Sequence, residues 1–200
     1  MKYPEFFDTV ETITMHDQLA HFLGTFQEGE VTFSYLDVVK MAGHSCPTVA
    51  GAYLMCKEAL KILYPNSIPR RGSVRVTLNG KQSDGVLGVI ASVIGNITGA
   101  AGEGGFKGLN GNFFRNNLLR FEEGLEGMVE FVRLDTNKGI TMNYNPDVVL
   151  PDPKIQPLMG KLMRGEGEAK DQEMFGILWQ QRVAEILLNH KAYKGLLVSF

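Results

Sequence analysis

The chain has 200 residues, with 44% hydrophobic and 21% charged side chains, a balance that suits a packed core rather than disorder. Its net charge of −2 argues against non-specific nucleic-acid binding, which rests on phosphate neutralisation. No apolar run reaches the roughly 18 residues that span a bilayer, Met1–Glu5 has no apolar signal region, and two cysteines are too few for a disulfide framework. The expected setting is therefore a reducing, cytoplasmic one, with neither membrane nor nucleic acid as partner.

In chain order, Tyr3 to Phe26 reads as two short helices, the second carrying Leu19, Phe22, Leu23 and Phe26 at helical spacing. His16 and His21 are five apart and do not share a helix face well. Ser34 with Asp37 three residues on forms a capping pair for a short helix that stops at Gly43. A long helix is predicted from Pro47 to Leu63, ended by Tyr64-Pro65-Asn66. Ser73 to Leu78 alternates as a strand and turns at Asn79-Gly80. Asp84 is then the expected cap of a helix over Gly85–Ile97, apolar around most of its circumference and so buried.

A glycine-rich segment follows from Gly99 to Gly111. It lacks the preceding strand that a dinucleotide loop needs, so it reads as a pocket-lining loop or a plain flexible one. Gly127–Asp135 and Gly139–Tyr144 form a predicted hairpin turned at Asn137-Lys138-Gly139. Pro151, Pro153 and Pro157 mark an arm, Lys161–Lys170 a loop, and Asp171–His190 a last long helix. The fold class predicted is α+β: helices packed on a small mixed or antiparallel sheet, with a C-terminal helical extension. Residues 1–150 form the core with its N-terminal helical segment, and 151–200 the arm and helix packed on it.

The chemistry concentrates in Gly43-His44-Ser45-Cys46-Pro47. Imidazole and thiolate are both ligands for zinc and similar metals. Pro47 begins a helix, which sets Cys46 at the positive end of the helix dipole, where a thiolate is favoured. Two readings follow from the residues: a divalent metal site, zinc first, or a reactive thiol at Cys46. Cys56, ten residues along the helix, reads as a buried packing residue.

The stretch Ala42–Phe121 resembles the family of the E subunit of formylmethanofuran dehydrogenase, in which a G-H-x-C-P motif opens a long helix. The strand Val74–Asn79, the helix from Asp84 and the loop Gly105-Phe106-Lys107-Gly108 resemble its later parts. The resemblance implies a metal site. Ala42 and Gln82 stand where family members often carry a further histidine and cysteine, and the zinc-binding C-terminal cysteine cluster of many members has no counterpart here. Of the family's ligand positions, His44 and Cys46 are kept. Other donors would come from water, substrate, a second subunit, or His16, Asp17 or Glu103.

The leading expectation is a His44/Cys46 metal site roofed by the glycine loop, able to serve an enzyme acting on a small molecule. Glu103 is its candidate acid or base, beside Cys46 as candidate catalytic residue. Lys107 and Arg115 are candidates to hold an anionic substrate. The alternatives are a metal-independent Cys46 thiol catalyst or redox protein, and a non-catalytic accessory subunit or small-molecule carrier. A homodimer is expected in each case.

Overall fold

In the computed structural model, which describes residues Met1–Phe200, seven strands and six α-helices are present. Strands β1 (Ile13–His16) and β2 (Glu30–Phe33) pair antiparallel as a separate ribbon. Between them lies the short helix α1 (Gln18–Phe22), capped by Asp17. Of the two helices predicted in the N-terminal segment, the first is only a 3-10 turn over Glu5–Thr9 followed by strand β1, and the second is present but short, as α1. Val10, Ile13 and Met15 are buried and point to the core, while Phe22, Leu23 and Phe26 of the predicted helical stripe are exposed. Four residues with β-branched Ile13 and Thr14 are too few to show a period.

Helix α2 (Tyr35–Ala42) begins at Ser34, whose Oγ accepts from the Asp37 amide while Asp37 accepts from the Ser34 amide. It ends at Gly43, at φ +77°, the left-handed conformation that glycine adopts without a Cβ penalty. Helix α3 (Pro47–Leu63) is almost entirely buried. Strand β3 (Val74–Asn79) leads to α4 (Leu87–Thr98), which buries Ile90, Ala91, Val93, Ile94 and Ile97. Asp84 does not cap α4. Its carboxylate accepts from the Lys81 amide instead and closes the preceding turn.

The main sheet has the order β4-β3-β5-β6-β7, with β4 (Leu119–Glu122) parallel to β3 and all other pairs antiparallel. The hairpin of β5 (Val129–Arg133) and β6 (Gly139–Tyr144) is as predicted, with Asn137 at φ +56° in its turn. The proline-marked arm is largely helix: α5 spans Ile155–Met163, and α6 (Ala169–Asn189) packs against it. Pro157 falls in the first turn of α5, where a missing N–H costs no helical hydrogen bond. Strand β7 (Leu197–Ser199) then adds an edge beside β6.

Helices α3 and α4 pack side by side, α3 over β6 and α4 over β3. Val183, Ile186 and Leu187 of α6 join the same core from beyond α3. Leu78, Val129 and Met142 share one row of the sheet, so β3 and β6 run in the same direction. This fixes two distinct ends. One carries Asn79 and Tyr144; the other carries Val74, Arg133 and Gly139.

Candidate functional site

Cys46 is the N-cap of α3, and its Sγ accepts from the Val49 amide at 3.5 Å. That bond and the helix dipole both favour sulfur carrying negative charge. His44 precedes it on the turn from α2, exposed, with Nε2 3.3 Å from Cys46 Sγ. Its Nδ1 lies 3.0 Å from the Ala42 carbonyl. A carbonyl can only accept, so Nδ1 carries a proton and, in the neutral ring, Nε2 presents its lone pair toward Cys46. The backbone thereby selects the tautomer that ligates a metal or accepts a thiol proton.

The turn is held from behind. The Ser45 carbonyl accepts from Trp179 Nε1 at 3.0 Å and from Gln180 Nε2 at 3.2 Å. Ser45 Oγ donates to Gln180 Oε1 at 3.0 Å and lies 3.0 Å from the buried Tyr35 hydroxyl. Tyr144 donates from β6 to the Pro47 carbonyl at 2.7 Å. Burial pushes the Tyr35 and Tyr144 hydroxyls well above the usual phenol range, so both stay protonated as donors. Sequence reasoning missed Trp179 and Gln180, which lie more than 130 positions away in α6. The lone tryptophan was the one available signal.

Cys46 Sγ and His44 Nε2 fit a shared metal. Zinc bonds of about 2.3 Å to sulfur and about 2.0 Å to nitrogen, at a tetrahedral angle, separate the donors by about 3.5 Å. The 3.3 Å found is close to that bite. No group of three or more His, Cys, Asp or Glu side chains is gathered there or elsewhere in the chain. The pair is a two-donor clip, not a closed structural zinc site. Cys56 adds nothing to it: fully buried in α3, its thiol is pushed far up by burial.

A protein-family comparison covers the same architecture. The family model described as "FmdE, Molybdenum formylmethanofuran dehydrogenase operon" matches residues 41–192, three quarters of the chain. The chain belongs to the FmdE family. The match opens immediately before the Gly43–Pro47 motif and runs well past Phe121, through the hairpin and both C-terminal helices. It leaves out the β1–β2 ribbon and β7. No curated protein and no solved structure matches the chain.

The FmdE motif stands apart from the other residues singled out by sequence. Tyr144 anchors it to the Asn79 end of the sheet. The glycine-rich segment leaves α4 at the opposite end, where Gly72 donates to the Thr98 carbonyl and Ala101 to that of Arg115. Within one chain the loop therefore does not roof His44 and Cys46. Glu103 and Lys107 are exposed on it, with no contact to the motif. His16, at the end of β1, accepts through its carbonyl from Arg71 at that same far end. Arg115 is buried there and ion-paired with Asp17 at 2.7 Å, so it is no free anchor for a substrate at Cys46. Periodicity could not have revealed this, because α4 carries the chain the full length of the sheet between the motif and the loop.

Asp17 is the centre of that far end. Its Oδ1 accepts from the Leu19 and Ala20 amides and from Arg115 Nη2, and its Oδ2 from Arg71 Nη1 at 2.9 Å. Burial raises its pKa, but the Arg71, Ala20 and Arg115 contacts together outweigh this and hold the carboxyl below its usual range. Arg71 also donates to the Ile97 and Asn96 carbonyls, closing the C-terminal end of α4.

Proposed function

We propose that this protein binds a divalent metal ion, zinc first among them, through His44 Nε2 and Cys46 Sγ, and serves as an accessory component of a small-molecule enzyme system. The observation that carries the reading is the 3.3 Å approach of the two donors, with Nδ1 of His44 committed to the Ala42 carbonyl. His44 and Cys46 hold the ion from one side, and water, a small-molecule ligand or a second copy of the chain takes the other positions. When bound, such an ion supplies Lewis-acid polarisation of a carbonyl or activation of water. Trp179, Gln180 and Tyr144 hold the clip rigid, which lowers the entropy cost of ligation. Formylmethanofuran chemistry is no part of the proposal, because family membership does not carry a substrate. A homodimer and a cytoplasmic setting belong to the same reading. No helix is long and apolar enough to cross a membrane.

Zinc titration followed by elemental analysis tests the reading. Wild type retains zinc after desalting, whereas His44→Ala and Cys46→Ser each lose it, with a drop in affinity of about 100-fold or more. Equal occupancy in wild type and both variants refutes it.

The same geometry supports a second reading, a thiol–imidazole pair without metal. Nε2 of His44 faces the sulfur as a base, and the Val49 amide stabilises thiolate. Iodoacetamide rates against pH separate the two. A thiol already reactive below pH 7 in metal-free protein, and slowed by His44→Ala, favours the pair; an inert thiol up to pH 9 eliminates it.

A further inference from the structure

The end of the sheet away from Cys46 carries a cleft of about 320 Å³, within the size range of small-molecule sites. Arg70, Arg71 and Arg115 line it, together with Gln18, Phe113 and Asp135. Four guanidiniums meet there, counting Arg133, against only two carboxylates, Asp17 and Asp135.

The carboxylates are already spent. Asp135 is gripped by Arg133 through both oxygens, and Asp17 accepts from two amides and two arginines. Arg71 uses Nε, Nη1 and Nη2 on protein oxygens. Arg115 does not. Its Nη2 donates to Asp17, but Nη1 is buried with no hydrogen-bond partner, on a side chain only 9% exposed. Gly72 and Gly99 make room for that group; a Cβ at Gly72 would occupy the place of Nη1. A buried guanidinium nitrogen without an acceptor is costly unless something supplies one. Arg70, exposed at the rim, makes no side-chain hydrogen bond or ion pair within the chain. Phe113, at φ +63°, holds a backbone conformation that bulky residues rarely take, and its ring packs on Phe22 beside the cleft.

We propose that this cleft is a binding site for a small anionic molecule, whose carboxylate or phosphate group is taken by Arg70 at the rim and by the Arg115 side chain on the cleft wall, with Phe113 along its apolar side. Guanidinium forks suit both oxyanions, and the excess of cations over carboxylates supplies the attraction. The site is separate from the His44/Cys46 clip. Asp17 and Gln18 precede the part of the chain that matches the family, so the cleft joins the family core to the N-terminal segment.

Calorimetric titration of the full chain at low ionic strength with inorganic phosphate, and separately with succinate, tests this. Saturable binding of either anion, with a dissociation constant on the order of 1 mM or tighter, is expected. Whichever binds more tightly identifies the head group. Arg70→Ala, at an exposed position, weakens binding about tenfold at unchanged melting temperature, and Arg115→Lys weakens it at least as much. His44→Ala binds like wild type, so failure of the metal reading leaves this result standing. No saturable binding of either anion by wild type, or wild-type affinity in Arg70→Ala, overturns the proposal. If Arg115→Lys fails to fold, Arg70→Ala alone decides.

Discussion

Asp17 shows what one side chain can hold together. It caps α1, neutralises Arg71 and Arg115, and so joins the β1–α1 corner to the end of α4 and the glycine-rich loop. With 6% of its side chain exposed, it is a buried partner rather than a surface ion. Removing the charge from such a pair leaves the opposite charge buried and uncompensated, which costs about 3–5 kcal/mol. Asp17→Asn is therefore expected to lower stability by about that amount in urea denaturation, without touching the His44–Cys46 pair at the other end of the sheet. A loss below about 1 kcal/mol would mean that solvent reaches the arginines. In the sequence, Asp17 stood only as a spare metal donor and Arg115 as a loose substrate anchor. Their pairing spans 98 positions and leaves no local trace.

At the scale of elements, α3 was fully legible. Cys46 caps it, Pro47 opens it, and Tyr64-Pro65 stops it, all local signals with local physical causes. The β5–β6 hairpin was legible for the same reason: its turn chemistry lies between two runs of alternating residues. Strands β1, β4 and β7 have three or four residues each and were not, because their extended shape comes from a neighbouring strand. Contact between elements also sets a sharp limit on α3. Gly51 lies against Tyr144 of β6 so closely that a Cβ would overlap the tyrosine ring. Gly51→Ala is expected to cost about 1–3 kcal/mol through overpacking, against the small gain that alanine brings to a helix interior. It should also displace the Tyr144 hydroxyl from the Pro47 carbonyl and loosen the clip. A denaturation midpoint equal to or above wild type would show that α3 and β6 have slack between them.

Across the whole molecule, the C-terminal segment is tied back to the core by charge as well as by packing. Glu58 on α3 lies 3.6 Å from His190 at the end of α6 and 3.4 Å from Lys57, while Lys57 and Lys61 both reach Glu11 near the N-terminus. His190 first, then Lys57 and Lys61, pull the Glu58 pKa down from its ordinary 4.5 to about 2, against the opposing effect of burial. A carboxylate with a depressed folded-state pKa contributes stability above its unfolded value and loses it as pH falls through the folded one. Stability is thus expected to fall as pH drops from about 4.5 toward 2, and Glu58→Gln to flatten that part of the profile. An identical acid limb in the variant would place the loss in other groups, Asp17 and Glu11 among them, whose pKa values are also lowered.

The α+β class, the G-H-x-C-P clip and the helix that presents it follow from short-range rules: caps, turn residues, and apolar spacing within a few turns. A resemblance over Ala42–Phe121, most specific at Gly43–Pro47, led to the right family. The tertiary structure alone decided which distant groups meet. The glycine-rich loop, Glu103, Lys107 and Arg115 follow the motif in the chain, but α4 runs the length of the sheet and delivers them to its other end. The parallel β3–β4 pair and the Asp17–Arg115 contact depend on chain closure over tens of residues, and no period or spacing encodes their geometry.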